Sequence, residues 1–261
     1  MPYDLTGRTV LITGASAGIG AATARMCAGA GARLVLAARR ADRLAALAAE
    51  IAASPAAPDI HTVALDVRDA DAVAGVLGAL PAPFDAIDAA VLSAGLSVGM
   101  EAIDRTPEAA VDEMFDTNVA GVLRVVRAVV PGMRARGRGH LVFLGSVAGR
   151  EAYAGGAVYG ATKAAVALLA EGARRDLHGT GLRVTNVAPG MVETDFARVR
   201  FGGDEARAAA VYADTEPLTP EDVADAVVYA LTRPARVNVS EVFLMPTAQA
   251  SATLVHRTPR G

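Results

Sequence analysis

The sequence is poor in cysteine and in aromatic residues. Tryptophan is absent, aromatic residues make up 4% of the 261 positions, and Cys27 is the single cysteine. One cysteine excludes an intramolecular disulfide and a cysteine-based metal site. The four histidines (His61, His140, His178 and His256) stand far apart, without the paired spacing of metal ligands. We therefore predict no metal site, and a core filled mainly by alanine, valine and leucine.

The chain also lacks a large net charge of either sign. The net charge is −3 at pH 7, so the chain lacks the basic excess that binds nucleic acid or an anionic membrane. No stretch reaches the roughly 18 uncharged apolar residues that span a bilayer, and residues 1–10 lack the apolar run of a secretory signal. We predict a cytoplasmic protein that binds neither nucleic acid nor membranes.

Short apolar runs alternate with longer alanine-rich segments at helical spacing, within one predicted domain, 1–261. Seven runs predict strands buried on both faces: 10–12, 34–36, 62–64, 87–92, 141–144, 184–187 and 242–244. Six segments predict helices: about 18–30, 41–53, 69–79, 107–135, 157–178 and 220–232. This alternation predicts an α/β fold, a Rossmann-type doubly wound parallel sheet with helices on both faces.

Two segments lack a regular period. Residues 190–218 are interrupted by Gly202-Gly203 and Pro217, which favours a substrate-binding loop. The C-terminal tail, residues 247–261, is polar and aperiodic. It is either loosely held or docked on a partner subunit.

A glycine-rich turn follows the first predicted strand and opens the first helix. Its glycines would let the backbone approach a pyrophosphate that also meets the free N–H groups of the helix. Such a turn can be purely structural, but its place between strand and helix favours a dinucleotide site. The predicted cofactor contacts there are Gly14, Ser16, Gly18, Ile19 and Gly20.

The second strand ends in a neutral residue and two arginines. Cofactors with a free ribose 2′-hydroxyl are usually held there by Asp or Glu, whereas Ala38, Arg39 and Arg40 suit a 2′-phosphate. Of the two arginines, Arg40 has the stronger claim to be a solvated helix start. The sequence therefore predicts NADP(H) over NAD(H).

Further cofactor contacts are predicted after the third and fourth strands. Asp66, followed by Val67, would accept a hydrogen bond from the adenine amino group or cap the next helix, although Asp69 is the better-placed cap. Three small residues after the fourth strand would let the cofactor pass: Ser93, Ala94 and Gly95.

A tyrosine and a lysine share one face of a predicted helix. Tyr159 and Lys163 are four residues apart, and a nearby ammonium lowers the pKa of a phenol and suits it to acid–base catalysis. Such pairs are common by chance. Lys163, however, is the only lysine among 25 lysine and arginine residues, which favours a specific need for a compact ammonium.

Two further polar residues are candidates for the same site. Ser146 ends the fifth strand, where it would bond a substrate carbonyl or simply form a turn. Asn118 lies within a predicted helix, where asparagine is a poor choice. It would bend the helix, hold a water molecule, or be merely exposed.

In order and spacing, these residues resemble the short, single-domain branch of the short-chain dehydrogenase/reductase family over nearly the whole chain. The resemblance implies that Tyr159 is the catalytic acid/base, that Ser146 orients the carbonyl, and that Lys163 binds the nicotinamide ribose. It also implies that Asn118 holds a water molecule of the proton relay. Four further residues would line the nicotinamide: Pro189, Gly190, Val192 and Thr194.

One position departs from the family pattern, because Ser93 stands where the family usually has asparagine. Residues 37–40, at the end of the second predicted strand, and residues 241–247 look similar to the corresponding segments of a narrower group within the family. It contains NADP-dependent 3-hydroxy acid (serine-type) dehydrogenases and an aldehyde reductase of clavulanic acid biosynthesis.

The sequence thus predicts an NADPH-dependent oxidoreductase that transfers a hydride between nicotinamide and a small aldehyde, ketone or 3-hydroxy acid. One alternative is a ketoreductase of carrier-bound polyketide or acyl substrates, with Arg198, Arg200 and Arg207 facing the acidic carrier. Another is a non-catalytic regulator that senses NADP(H). The resemblance also implies a homo-oligomer, a tetramer or dimer built on helices 107–135 and 157–178.

Overall fold

A parallel sheet forms the centre of the computed structural model, which describes residues 3–54 and 57–258. Within them, seven strands pair in the order β3-β2-β1-β4-β5-β6-β7, all parallel. The strands are β1 (Thr9–Thr13), β2 (Arg33–Ala38), β3 (Ile60–Ala64), β4 (Ala89–Leu92), β5 (Gly139–Leu144), β6 (Leu182–Pro189) and β7 (Glu241–Leu244). The predicted doubly wound fold is confirmed, with its switch point between β1 and β4.

Helices cover both faces of the sheet. They are α1 (Gly18–Gly29), α2 (Ala41–Ala52), α3 (Ala70–Gly78), α4 (Glu108–Phe115), α5 (Gly121–Ala135), α6 (Ala157–Asp176), α7 (Phe196–Arg200), α8 (Glu205–Tyr212) and α9 (Pro220–Leu231). The predicted helix over 107–135 is interrupted by a π-turn, Asp116–Ala120. The segment 190–218 holds α7 and α8, which are 5 and 8 residues long and too short to show a helical period.

Successive strand residues point to opposite faces and build two cores. Val10, Ile12 and Leu34 pack with α1, α2 and α9 on one face, whereas Leu11 and Val35 pack with α3, α5 and α6 on the other. Burial on both faces explains why the sequences of the inner strands β1, β2, β4 and β5 are continuously apolar rather than alternating. The edge strands β3 and β7 are only partly buried, so the prediction of burial on both faces is wrong for them.

The described part of the C-terminal tail, residues 247–258, folds back onto the chain. The Met191 N–H donates to Gln249 Oε1 at 2.7 Å, and Gln249 also forms a bridge with Val255. Residues 1–2, 55–56 and 259–261 lie outside the described residues, so the predicted domain and tail are seen only within the described ranges. In those ranges, no helix is long and apolar enough to cross a membrane, and no cluster of His, Cys, Asp or Glu could hold a metal ion.

A buried histidine lies in the inner strand β5. His140 Nε2 is 2.8 Å from Thr185 Oγ1, while Nδ1 has no partner among the described residues. Burial, and secondarily the charge of Arg183, lowers the pKa of His140 well below its usual value.

We expect this histidine to make the fold acid-sensitive. The unfolded chain takes up a proton as the pH falls through about 6.5, whereas folded His140 does not, so the free energy of unfolding falls by about 1.4 kcal/mol per pH unit. Urea denaturation between about pH 7.5 and 5.5 should show a flatter dependence in His140→Gln than in the wild type. His178→Gln, at an exposed position, is the control, and an unchanged slope in His140→Gln would contradict the assignment.

Candidate active site

The carboxyl ends of the strands open into a cavity of about 680 Å³, a volume typical of ligand sites. It is lined by the predicted site residues other than Asn118. They are Gly14, Ser16, Gly18, Ile19, Gly20, Arg39, Arg40, Asp66, Val67, Ser93, Ala94, Gly95, Ser146, Tyr159, Lys163, Pro189, Gly190, Val192 and Thr194.

The glycine turn has no room for side chains. A Cβ on Gly14, whose φ is +68°, would lie 2.9 Å from the Ala94 backbone, and one on Gly20 would lie 2.4 Å from the Gly14 carbonyl oxygen. No side chain caps α1 at Ala17, so the first N–H groups of the helix stay free for a ligand. A close backbone and free N–H groups fit a pyrophosphate.

The segment that begins at Ser93, where the chain departs from the family pattern, is bonded to β1. The Ala94 N–H donates to Thr13 Oγ1 at 3.2 Å, and this bond ties the end of β4 to β1. Ser93 itself lines the cavity. The small side chains after β4 therefore leave space for a ligand along this part of the cavity wall.

Arg40, the less favoured of the two arginines, is anchored in the cavity wall. Its Nε and Nη2 donate to Ser16 Oγ at 3.2 and 3.1 Å, whereas Arg39 is exposed at the rim. Burial, and then the charge of Arg43, lowers the pKa of Arg40. Ala38 leaves no carboxylate at the end of β2. This concentration of guanidinium groups fits a 2′-phosphate.

Asp66 lines the cavity but does not cap α3. Asp69 does so, by accepting the Ala72 N–H at 2.9 Å, as its position suggested. Asp66 accepts from the Arg68 backbone at 3.0 Å and from its Nη2 at 2.7 Å. These bonds lower the pKa of Asp66 and keep it an ionised acceptor. The adenine contact stays a prediction.

Asn118 is 1% exposed, so the interpretation as a merely exposed residue is wrong. Its Oδ1 accepts the Leu96 N–H and its Nδ2 donates to the Leu96 carbonyl, both at 2.8 Å. Nδ2 also donates at 3.1 Å to Thr162 Oγ1, which in turn bonds the Tyr159 carbonyl at 2.7 Å. The amide thus joins the loop after β4 to the helix that carries Tyr159. The water-holding role stays a prediction.

Tyr159 and Lys163 are both buried beside the cavity. Lys163 Nζ donates to the Leu144 carbonyl at 2.8 Å and lies 5.9 Å from the centre of the Tyr159 ring. Burial raises the pKa of Tyr159 to about 12 and lowers the pKa of Lys163 to about 8. The expected lowering of the tyrosine pKa is therefore wrong for the protein alone, because desolvation disfavours both charged forms.

Ser146 forms the turn that its position suggested, and its contact with a substrate carbonyl stays a prediction. Its hydroxyl accepts the Ala148 N–H at 3.2 Å and so caps a short turn. A hydrogen bond between the Ser146 side chain and the Tyr159 phenol counteracts part of the rise in the tyrosine pKa. A substrate oxygen between these two hydroxyls would meet two donors.

Sequence reasoning gave Arg200 no place in the active site. Its guanidinium lies 5.3 Å from the centre of the Tyr159 ring and 5.0 Å from that of Phe196. Nε donates to Ser97 Oγ at 3.1 Å and Nη2 to Tyr153 Oη at 3.3 Å. The tail also supplies wall residues, among them Gln249 and Arg257. For Arg200, the sequence signal was limited to a basic residue within the aperiodic segment 190–218.

Comparison with known proteins identifies the family. Residues 8–203 match the family model for short chain dehydrogenases. The chain belongs to the short-chain dehydrogenase/reductase family. It is 43% identical over 251 residues to the NADP-dependent 3-hydroxy acid dehydrogenase YdfG of Salmonella typhi, covering 95% of this chain and 99% of that protein. It is 47% identical over 250 residues to sulfoacetaldehyde reductase 2 of Chromohalobacter salexigens, covering 95% and 98%.

A solved structure described as the closed form of serine dehydrogenase complexed with NADP+ has the same fold. The TM-score is 0.90 at 42% identity, and the match covers 96% of this chain and 100% of that one. The resemblance found in the sequence is thereby confirmed. The alternative of a non-catalytic regulator finds no support among these relatives.

The two arginines after β2 should set the cofactor preference. Arg40→Ala and Arg39→Ala should each raise the KM for NADPH about 10- to 150-fold, the value of a charged hydrogen bond, and leave the KM for NADH nearly unchanged. Initial rates with both cofactors test this. Arg105→Ala, at an exposed position outside the cavity, is the matched control. Equal effects on both cofactors would contradict a 2′-phosphate contact.

Proposed function

We propose that this enzyme reduces a small carbonyl compound that carries a carboxylate or sulfonate group, and that Arg200 binds this anionic group. The observation that carries the proposal is the guanidinium of Arg200, held beside Tyr159 at the chemical end of the cavity. As the sequence predicted, the chain is an NADP-dependent oxidoreductase acting on a carbonyl/alcohol pair.

The names of two relatives support an anionic substrate. One is named for a 3-hydroxy acid and the other for sulfoacetaldehyde. Each substrate joins an anionic group to the reacting carbon through a short carbon chain. A planar guanidinium binds such oxyanions through two parallel hydrogen bonds, and Arg200 lies at a suitable place for that contact.

The surroundings of Arg200 hold it in place before a substrate arrives. Ser97 and Tyr153 engage Nε and Nη2, and Phe196 packs against the guanidinium plane. Nη1 makes only a weak contact with the Met100 sulfur at 3.9 Å. Since a guanidinium has five N–H donors, several remain for an anion.

When bound, NADPH supplies the hydride that is added to the carbonyl carbon. Tyr159 donates its phenolic proton to the carbonyl oxygen, and Ser146 donates a hydrogen bond to the same oxygen. With a pKa raised to about 12, Tyr159 is protonated at neutral pH, which is the form that a reduction requires. Asn118 positions the Tyr159 helix through Thr162. In this proposal Lys163, which lines the same cavity, contacts the ribose.

The ketoreductase alternative requires a free basic patch on the substrate loop, 190–218. Arg198 is instead paired with Asp195 at 3.2 Å, and Arg207 lies 4.3 Å from the centre of the Phe201 ring. Arg200 faces the cavity. The three arginines therefore have three different surroundings, which favours a small substrate over an acidic carrier.

We also propose a homo-oligomer, a tetramer or dimer, built on α4, α5 and α6. Phe115 on α4 and Leu168 on α6 are exposed apolar side chains on these helices, available for such a contact. A cytoplasmic location stays the prediction made from the sequence.

Loss of the phenolic proton donor should stop the reaction without affecting cofactor binding. We expect Tyr159→Phe to lower kcat about 100-fold or more, the usual contribution of a positioned general acid. NADPH binding, followed by nicotinamide fluorescence, should be unchanged. Tyr229→Phe, at an exposed position on α9, is the control. Activity close to that of the wild type would contradict the role of Tyr159.

Loss of the anion contact should separate charged from neutral substrates. We expect Arg200→Gln to raise the KM for sulfoacetaldehyde and for 3-oxo or 3-hydroxy acids about 10- to 100-fold, because a charged hydrogen bond is lost. A neutral aldehyde of similar size should change much less. Arg207→Gln, at an exposed position on the same loop and outside the cavity, is the matched control. An equal loss for both substrate types would instead indicate that Arg200 acts only through Tyr159.

A further inference from the structure

We propose that Asp195 is a positioning residue that joins the substrate loop to the arginines of the 2′-phosphate site. In this proposal the 2′-phosphate of NADPH holds the loop closed, and NADH does so less well. The inference rests on the proposed role of residues 190–218 as a substrate loop. The preference for NADP would then arise from loop closure as well as from direct contact between the arginines and the 2′-phosphate.

Asp195 lies between the cofactor end of the cavity and α7. Its Oδ2 accepts from Arg43 Nη1 on α2 at 3.0 Å and from Arg198 Nη2 on α7 at 3.2 Å. The preceding residue contacts the glycine turn, because a Cβ added to Gly18 would lie 3.2 Å from Thr194 Cγ2. The start of the loop thus rests on two elements that bind the cofactor.

Helix α7, which begins directly after Asp195, contacts the chemical site at both of its ends. The Phe196 ring centre is 5.4 Å from that of Tyr159, and Arg200 lies above both rings. A helix of 5 residues therefore links Asp195 rigidly to the residues that contact Tyr159. A shift of Asp195 would move Phe196 and Arg200 with it.

The charges around Asp195 show why a phosphate would matter. Burial and the neighbouring Arg43, Arg39 and Arg198 lower the pKa of Arg40, whereas Asp195 raises it. Among the described residues, Arg198 also pairs with Glu205 at 3.7 Å. Positive charge is therefore in excess around Arg40, and a phosphate of about −1.5 to −2 would neutralise it and fix the start of α2 in place. The Arg43–Asp195 bond would carry that order from α2 to the loop, so the effect of the phosphate requires Asp195. A ribose hydroxyl would leave Arg39, Arg40 and Arg43 repelling one another.

Hydrogen–deuterium exchange over residues 196–212 tests this without substrate, so its result does not depend on the role of Arg200 in substrate binding. With each cofactor at saturation, we expect exchange in the wild type to be about two- to fivefold slower with NADPH than with NADH. This ratio corresponds to the free energy that a half-exposed ion pair contributes. In Asp195→Asn that difference should vanish, while fluorescence titration shows NADPH still bound.

Two further variants make the test specific. Arg43→Gln should remove the same difference, and the double variant should lose no more, since both act through one ion pair. Glu205→Gln, on the same loop but facing Arg198 alone, should keep the difference. The proposal is overturned if Asp195→Asn keeps the NADPH-specific slowing, or if NADH slows exchange in the wild type as much as NADPH does.

Discussion

Because all seven strands run in the same direction, the segments that follow them meet at one edge of the sheet. The glycine turn follows β1, the arginines follow β2, Ser146 follows β5 and Pro189 ends β6. These residues are far apart in the sequence, yet they line one cavity. The crossover helices set the parallel direction of the strands, and the buried inner strands hold their spacing, so the site depends on the core beneath it.

Burial sets the electrostatics of the site as strongly as the neighbouring charges do. Tyr159 and Lys163 are neighbours, but burial removes hydration from both. The pKa of Tyr159 rises and the pKa of Lys163 falls, so the neutral form of each is favoured. Arg200 lies outside this pair and counteracts the rise in the tyrosine pKa while it faces the cavity. One cation can therefore influence both the phenol and a negatively charged substrate.

The sequence predicted most of the fold and much of the site, because those signals are local. A glycine turn between a strand and a helix, or a Tyr–Lys pair on one helix face, is visible within a few residues. Arg200 and Gln249 could not be placed, because their roles depend on contacts between distant segments. The interpretation of Arg40 as a solvated residue was wrong for the same reason, since its Ser16 contact joins two loops. A disturbed helix at Asn118 was one expectation, but the π-turn itself could not be predicted because it leaves the helical pattern almost intact.

The single lysine has a consequence for the chemistry of the whole surface. Lys163 is 6% exposed, and every other long basic side chain is arginine. Apart from its amino terminus, the folded protein thus presents no readily accessible primary amine. Amine-directed reagents, whether labels, crosslinkers or immobilisation supports, meet a side-chain amine only by entering the catalytic cavity. Their rate of reaction with Lys163 therefore measures how open that cavity is.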